Sequence, residues 1–143
     1  MNKKLALTVL IVLATLTLAD CAPRVTSLTP EEGAAYAAEV DEIVENMIVG
    51  DIKCDFAMYT RDFDPEEWEG ELDESAWQQK CKVNQDVYGA YLSKTLDHVE
   101  DRGRNRVVIY HVVYENDPDV TLEVYFRSED PEHRITGLWW TVE

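Results

Sequence analysis

Basic residues are scarce in this chain. Thirteen Lys and Arg stand against 29 Asp and Glu, and the formal net charge is -16. Nucleic-acid binding needs clustered Lys and Arg to neutralise phosphates, so no nucleic-acid partner is expected. The same sign of charge disfavours adsorption of the folded domain to an anionic membrane face. Histidine and cysteine are few, three of each. None has a second ligand at the close spacing of a metal site, and neither CxxC nor HExxH occurs. Glycine is sparse, with no phosphate-binding Gly-rich loop and no nucleophile elbow. No cofactor and no metal are therefore expected. Internal repeats and low-complexity tracts are also missing from the region after residue 20. What remains is ordinary for a folded protein: apolar residues make up 45% of 143 positions, enough for one domain with a real core.

The chain has a single long apolar run, Leu5 to Ala19, interrupted only by three threonines and preceded by Lys3 and Lys4. As a helix it would span about 22 Å, short of the ~30 Å hydrocarbon core. A signal-peptide segment is the better reading than a spanning helix. The run ends in Leu18-Ala19-Asp20-Cys21, which resembles a bacterial lipobox. That resemblance implies lipidation of Cys21, with diacylglycerol and palmitate-type acyl chains, and a mature protein that begins there. Asp20 departs from the Gly, Ala or Ser usual before the cysteine. The competing cleavage, after Thr17-Leu18-Ala19, would leave a soluble periplasmic or secreted protein. Ala22 is not acidic, which by resemblance to the sorting rule of Gram-negative lipoproteins points to the periplasmic face of the outer membrane. The partner so implied is a lipid bilayer, reached through acylated Cys21.

An odd number of cysteines in an exported chain asks for a use of the spare. With Cys21 lipidated, Cys54 and Cys81 remain for a disulfide in an oxidising compartment. Two separate buried thiols are the alternative.

The organisation expected is a signal segment at 1–20, a tether at 21–28 and one domain at 29–143. Thr29, Pro30 and Glu32 open a helix with a capping box. Tyr36, Val40, Ile43, Val44, Met47 and Ile48 give it one apolar face, and Gly50 should close it. A short second helix covers Asp51 to Tyr59. Residues 62–75 are crowded with acids. They fail the calcium-loop spacing, since Glu67 and Asp73 occupy the positions that want glycine and glutamate, and they read as a solvated loop tethered by Trp68 and Leu72. A third helix runs to Tyr88. The period then changes from helical to two, predicting strands at Tyr91–Val99, Arg106–Tyr114, Val120–Arg127 and Arg134–Val142, joined by short turn-rich loops. The fold class is α+β: three helices packed on a curved four-stranded antiparallel meander.

This order, with "VGD" at Val49–Asp51, "DESAW" ending at Trp77, "YGAYLSKTL" from Tyr88 and "RITGLW" ending at Trp139, resembles the nuclear transport factor two-like superfamily. More narrowly, it is similar to a bacterial secreted domain family of unknown function within that fold. The likeness runs from about Ala34 to Val142. It departs at His133 and Leu138, where that family usually carries aromatic residues. The resemblance implies a cone-like architecture, which hosts enzymes, binders and assembly modules alike.

His111, in mid-strand, is the one candidate acid or base; a structural histidine is the plainer reading. Asp97 and His98, as strand neighbours, should point to opposite faces and form no dyad, and His133 should be solvated in its turn. Tyr36, Tyr59, Tyr110, Tyr114 and Trp139 are candidate pocket walls, or simply core. The second strand is apolar on both faces. Val107, Ile109 and Val113, with Tyr125 and Trp140, therefore form a candidate interface for a second copy or another envelope protein. The function expected is a lipid-anchored binding or interaction module of the cell envelope, ligand unknown. The alternative is a small-molecule pocket protein, or an isomerase- or cyclase-like enzyme.

Overall fold

The computed structural model describes residues 24–142, so Cys21 and the apolar run lie outside the described residues. The first element among the described residues is a short strand, β1 (Thr26–Ser27), inside the stretch expected to be tether. Helices α1 (Pro30–Lys53), α2 (Phe56–Thr60), α3 (Pro65–Trp68) and α4 (Glu74–Tyr88) follow, and then β2 (Tyr91–Arg102), β3 (Asn105–Tyr114), β4 (Val120–Arg127) and β5 (Ile135–Val142). The five strands form one antiparallel sheet in sequence order. The α+β class holds, with one strand and one short helix more than the sequence suggested.

α1 begins as the sequence predicts. Thr29 Oγ1 accepts from the Glu32 backbone N–H, and the Glu32 carboxylate accepts in return from the Thr29 N–H. These bonds satisfy donors that an open helix end would leave orphaned. The helix buries Tyr36, Ala37, Val40, Val44, Met47 and Ile48 against the sheet. It does not stop at Gly50. That glycine is buried inside the helix, and a Cβ there would lie 2.4 Å from the Tyr59 backbone nitrogen. The residue serves the close approach of α2, and the left-handed cap falls instead on Cys54, at φ 53°. α2 consequently starts later than expected, capped by Asp55.

The acidic segment is more structured than a solvated loop. Asp64 is buried, caps α3 by accepting from the Glu66 N–H, and donates its own N–H to the Ile135 carbonyl. The Ile135 N–H donates to the Asp62 carbonyl, and the Trp68 indole donates to the Ile135 oxygen. The segment thus shields the free edge of β5, which would otherwise offer unpaired backbone groups.

The core lies between α1 and the sheet face formed by Val99, Val108, Tyr110, Val112, Leu122, Val124, Phe126 and Ile135. The strict alternation in β4 is observed residue by residue. Three register shifts change the parity of neighbouring strands, the first at Leu92, between Tyr91 and Ser93. Between Leu96 and His98 the register of β2 slips by one, because Leu96 pairs with Tyr110 while His98 pairs with Ile109. On β5, Ile135 opposes Phe126 but Gly137 opposes Tyr125, so Thr136 is the extra residue.

A disulfide joins Cys54 to Cys81, with Cα atoms 5.7 Å apart. It ties the end of α1 to the middle of α4. Closing a loop of 27 residues stabilises the fold by about 3.5 kcal/mol in the chain-entropy account.

Candidate functional site

At the end of the sheet away from β1, α4 stands off from the strands and leaves a cleft of about 600 Å³. Its floor is Tyr114 of β3, Val120 of β4 and Leu138 and Trp140 of β5. Its walls come from Trp77 and Tyr88 of α4, Tyr59 of α2, and Trp68. Tyr59 stacks on Trp77 with ring centroids 4.9 Å apart, and Tyr114 lies between Tyr88 and Trp140 at 5.6 and 6.5 Å. The rings hold one another in place, so the aromatic surface is preorganised.

Asp51 supplies the one carboxylate at the base of this cleft. It sits in the last turn of α1, one helical step beyond the apolar stripe of Val44, Met47 and Ile48. Among the described residues, no hydrogen-bond donor or cation lies within bonding distance of its side chain. Burial pushes the carboxyl up to about 6, and the charge of Lys80 on α4 offsets this in part. Burial, and then the charge of Asp51, raises the phenols of Tyr59 and Tyr114. The remaining polar lining is Glu71, Asp73, Asn84 and Gln85. Asp73 is committed to capping α4 through the Ala76 N–H, and Gln85 donates to the Ile52 carbonyl.

Of the five residues expected to line a pocket, Tyr59 and Tyr114 do so. Tyr36 and Tyr110 are buried in the core away from the cleft, with hydroxyls that find no partner. Trp139 is 65% exposed on the outer sheet face. Its neighbour Trp140, expected at an interface, turns inward opposite Leu122 and lines the cleft. The bulge at Thr136 reverses the two tryptophans, because it changes which parity of β5 faces the core.

His111 lies on the outer face, 3.4 Å from Asp119, and takes no part in the cleft. Asp97 and His98 do meet: the bulge between Leu96 and His98 re-aims Asp97, and its carboxylate lies 2.9 Å from His98 Nδ1. His133 is not free in solvent. Its ring packs edge-on against Tyr36 at 5.6 Å, and Nε2 lies 3.6 Å from Glu39.

The candidate interface is covered by the chain's own polar side chains. Val107 and Ile109 are 0% and 5% exposed. Across them runs a chain of ion pairs, from His98 to Glu100 to Arg102 to Glu123, closed by the Tyr125 hydroxyl. The Arg102 guanidinium lies 5.3 Å from the centre of the Tyr125 ring. Long side chains of this kind shield apolar surface with their stems while their heads stay wet. Val113, near the other end of β3, is half-buried.

The sequence reading did not single out Asp51, Trp77, Tyr88 or Lys80 as site residues. Asp51 had a signal: it continues the i, i+4, i+7 stripe of α1 from Val44, so an acid falls where an apolar residue is due.

No protein-family model matches the sequence, and no curated protein matches it. Among solved structures, Bd1075 of Bdellovibrio bacteriovorus is similar, with a TM-score of 0.49 and 15% identity. The similarity covers 81% of this chain and 44% of that one, so this chain spans under half the length of the protein it resembles.

Proposed function

We propose that this protein is an exported, lipid-anchored binding domain of the nuclear transport factor two-like type, and that its ligand occupies the aromatic cleft. The observation that carries the reading is the cleft itself: a preformed hollow walled by tyrosine and tryptophan rings, with the half-buried Asp51 carboxylate unpartnered among the described residues, is what a small-molecule site needs. His111, the acid or base that the sequence offered, is on the other face of the sheet, and Asp51 in the cleft is paired with no nucleophile or second acid or base among the described residues, so we read a binding site.

The anchor and the cleft fit together. β1 pairs with Glu100 and Asp101, at the far end of β2 from Tyr88 and Gly89. Five residue steps separate Cys21 from Thr26, a reach of about 17 Å at most. A strand of this length carries the cleft roughly 30 Å further. A tether at Cys21 would thus join the domain at the end of the sheet opposite the cleft.

Two measurements test this. Intact mass of native mature protein should match a chain beginning at Cys21 with added acyl mass; a start elsewhere, or no added hydrocarbon, removes the anchor. Indole N–H resonances of the acyl-free domain should then be followed against a panel of small aromatic compounds. Binding in the cleft shifts Trp68, Trp77 and Trp140 and leaves Trp139 unmoved. Shifts at Trp139 alone would favour the second reading, an envelope protein or second copy docked on the outer sheet face, for which the exposure of Trp139 is the supporting observation.

A further inference from the structure

The cleft has a charge preference as well as a shape. Its acids are Asp51, Glu71 and Asp73, and its one cation is Lys80. Lys80 is an exposed residue and makes no ion pair, so it does not neutralise Asp51 by contact. Asp51 sits in the last turn of a 24-residue helix. There the aligned peptide dipoles present their negative end, which repels an anion and attracts a cation. The aromatic lining acts in the same sense where a ring face is open to the guest, because that face carries a negative quadrupole. Tyr59, Trp77 and Tyr114 line the cleft with Asp51 from α2, α4 and β3, and the charge of Asp51 acts on both phenols. The protein as a whole, at -16, adds a field of the same sign. Every fixed charge near the hollow except Lys80 therefore favours a positive guest, while the apolar floor at Val120 and Leu138 favours an apolar body.

We infer that the cleft takes an organic cation: an ammonium or quaternary ammonium group seated against Asp51 among the rings, with an aromatic or branched aliphatic body lying along the sheet floor. The inference rests on the cleft being a binding site and adds the class of its ligand. Asp51 has no hydrogen-bond donor of its own in the fold, so a cation gives it the partner it lacks. Neutral and anionic ligands of the same shape leave the carboxylate desolvated and unpaired.

The test uses three probes of similar shape on the acyl-free domain: benzyltrimethylammonium, benzyl alcohol and phenylacetate. Tryptophan fluorescence and indole N–H shifts report occupancy, since three of the four tryptophans line the cleft. The cation should bind at least tenfold more tightly than either of the others, and Asp51→Asn should remove about tenfold of that affinity. In the unmodified protein, cation binding should weaken as pH falls from 7.5 to 5. The groups facing Asp51 that matter there are Lys80 on α4, Tyr59 on α2 and Tyr114 on β3, with Glu71 and Asp73 at the mouth; in Asp51→Asn most of the pH dependence should vanish. Equal binding of phenylacetate and the cation, or an unchanged affinity in Asp51→Asn, overturns the ligand class while leaving the cleft as a site. Failure of all three probes to move Trp68, Trp77 or Trp140 overturns the cleft reading itself.

Discussion

Asp51→Asn should make the protein more stable at neutral pH, and the size of the gain can be worked out. The folded protein raises the carboxyl from 3.8 to about 6 because burial penalises its charged form. Each tenfold change in a proton equilibrium corresponds to about 1.4 kcal/mol, so the ionised side chain costs the fold up to about 3 kcal/mol. Water in the cleft screens part of this, and about 1–2 kcal/mol is the reasonable net figure. The helix adds a little in the same direction, since Asn removes a negative charge from the wrong end of the dipole while its helix propensity is close to that of Asp. The sign follows from proton linkage. Between pH 4 and 6 the folded state holds a proton that the unfolded state has lost, so stability falls as pH rises through this window and is level above it. Asparagine lacks the group. The two proteins should therefore unfold alike near pH 4, diverge between 4 and 6, and differ at pH 7.5 by roughly 4–8 °C in melting temperature. Thermal unfolding followed by circular dichroism at four pH values checks this. An equal difference at pH 4 and 7.5, or a less stable variant at pH 7.5, would refute the argument. A side chain that weakens its own fold is the pattern expected of a site rather than of a core.

Replacing both Cys54 and Cys81 by Ser should cost about 3.5 kcal/mol, read as a lower urea midpoint; an unchanged midpoint would mean that the unfolded chain is not released by the loss. Gly50→Ala should destabilise by about 2–3 kcal/mol in the same assay although alanine is the better helix former, because its methyl group would meet the Tyr59 backbone at 2.4 Å. Arg102→Ala should cost about 1–2 kcal/mol, since it uncovers Val107 and Ile109 and leaves Glu100 only His98 and Glu123 only the Tyr125 hydroxyl; Arg102→Met should recover the shielding part of that loss in denaturant titrations. Thr29→Ala, which opens the capping box, should lower stability by about 1 kcal/mol.

Where local chemistry decides the structure, the sequence is legible. The Thr29–Glu32 box, the apolar stripe of α1 and the alternation of β4 are each a few residues acting on one another, and all three appear as read. Pairing of Cys54 with Cys81 was also legible, from the leftover of an odd count. The failures share one origin, a parity or boundary set by a distant partner. A single bulge at Thr136 reverses Trp139 and Trp140, and another at Asp97 brings that carboxylate to His98; Gly137 marks the first, as a glycine inside a strand pattern can, but the second leaves no such mark. Gly50 looked like a helix end because glycine favours caps, yet its purpose is contact with α2, some nine residues on. β1 comprises two exposed residues whose only reason to be extended is the edge of β2. Asp51 was legible in principle and was passed over because closing the first helix at Gly50 placed it at the start of the second helix, off the apolar stripe it continues.

The disulfide and the cleft are two aspects of one arrangement. A helix is usually held to a sheet by burying an apolar face, and a helix held that way fills the space beneath it. α4 buries only Trp77 and Cys81. One turn further on, the side facing the hollow carries Asn84 and Gln85, while Val83 and Val87 are turned outward and are 60% and 57% exposed. Such a helix has too little apolar burial to hold its place. What fixes it lies on two sides: toward α1, the covalent bond to Cys54, the Gln78 amide donating to the Cys54 carbonyl and the Gln85 amide donating to the Ile52 carbonyl; toward the strands, Asn116 donating to the Tyr88 and Val87 carbonyls. These bonds act at the rim, so they position α4 without closing the gap behind it. A cross-link here does the work that a filled core does elsewhere in the fold, and the aromatic hollow stays open because of it.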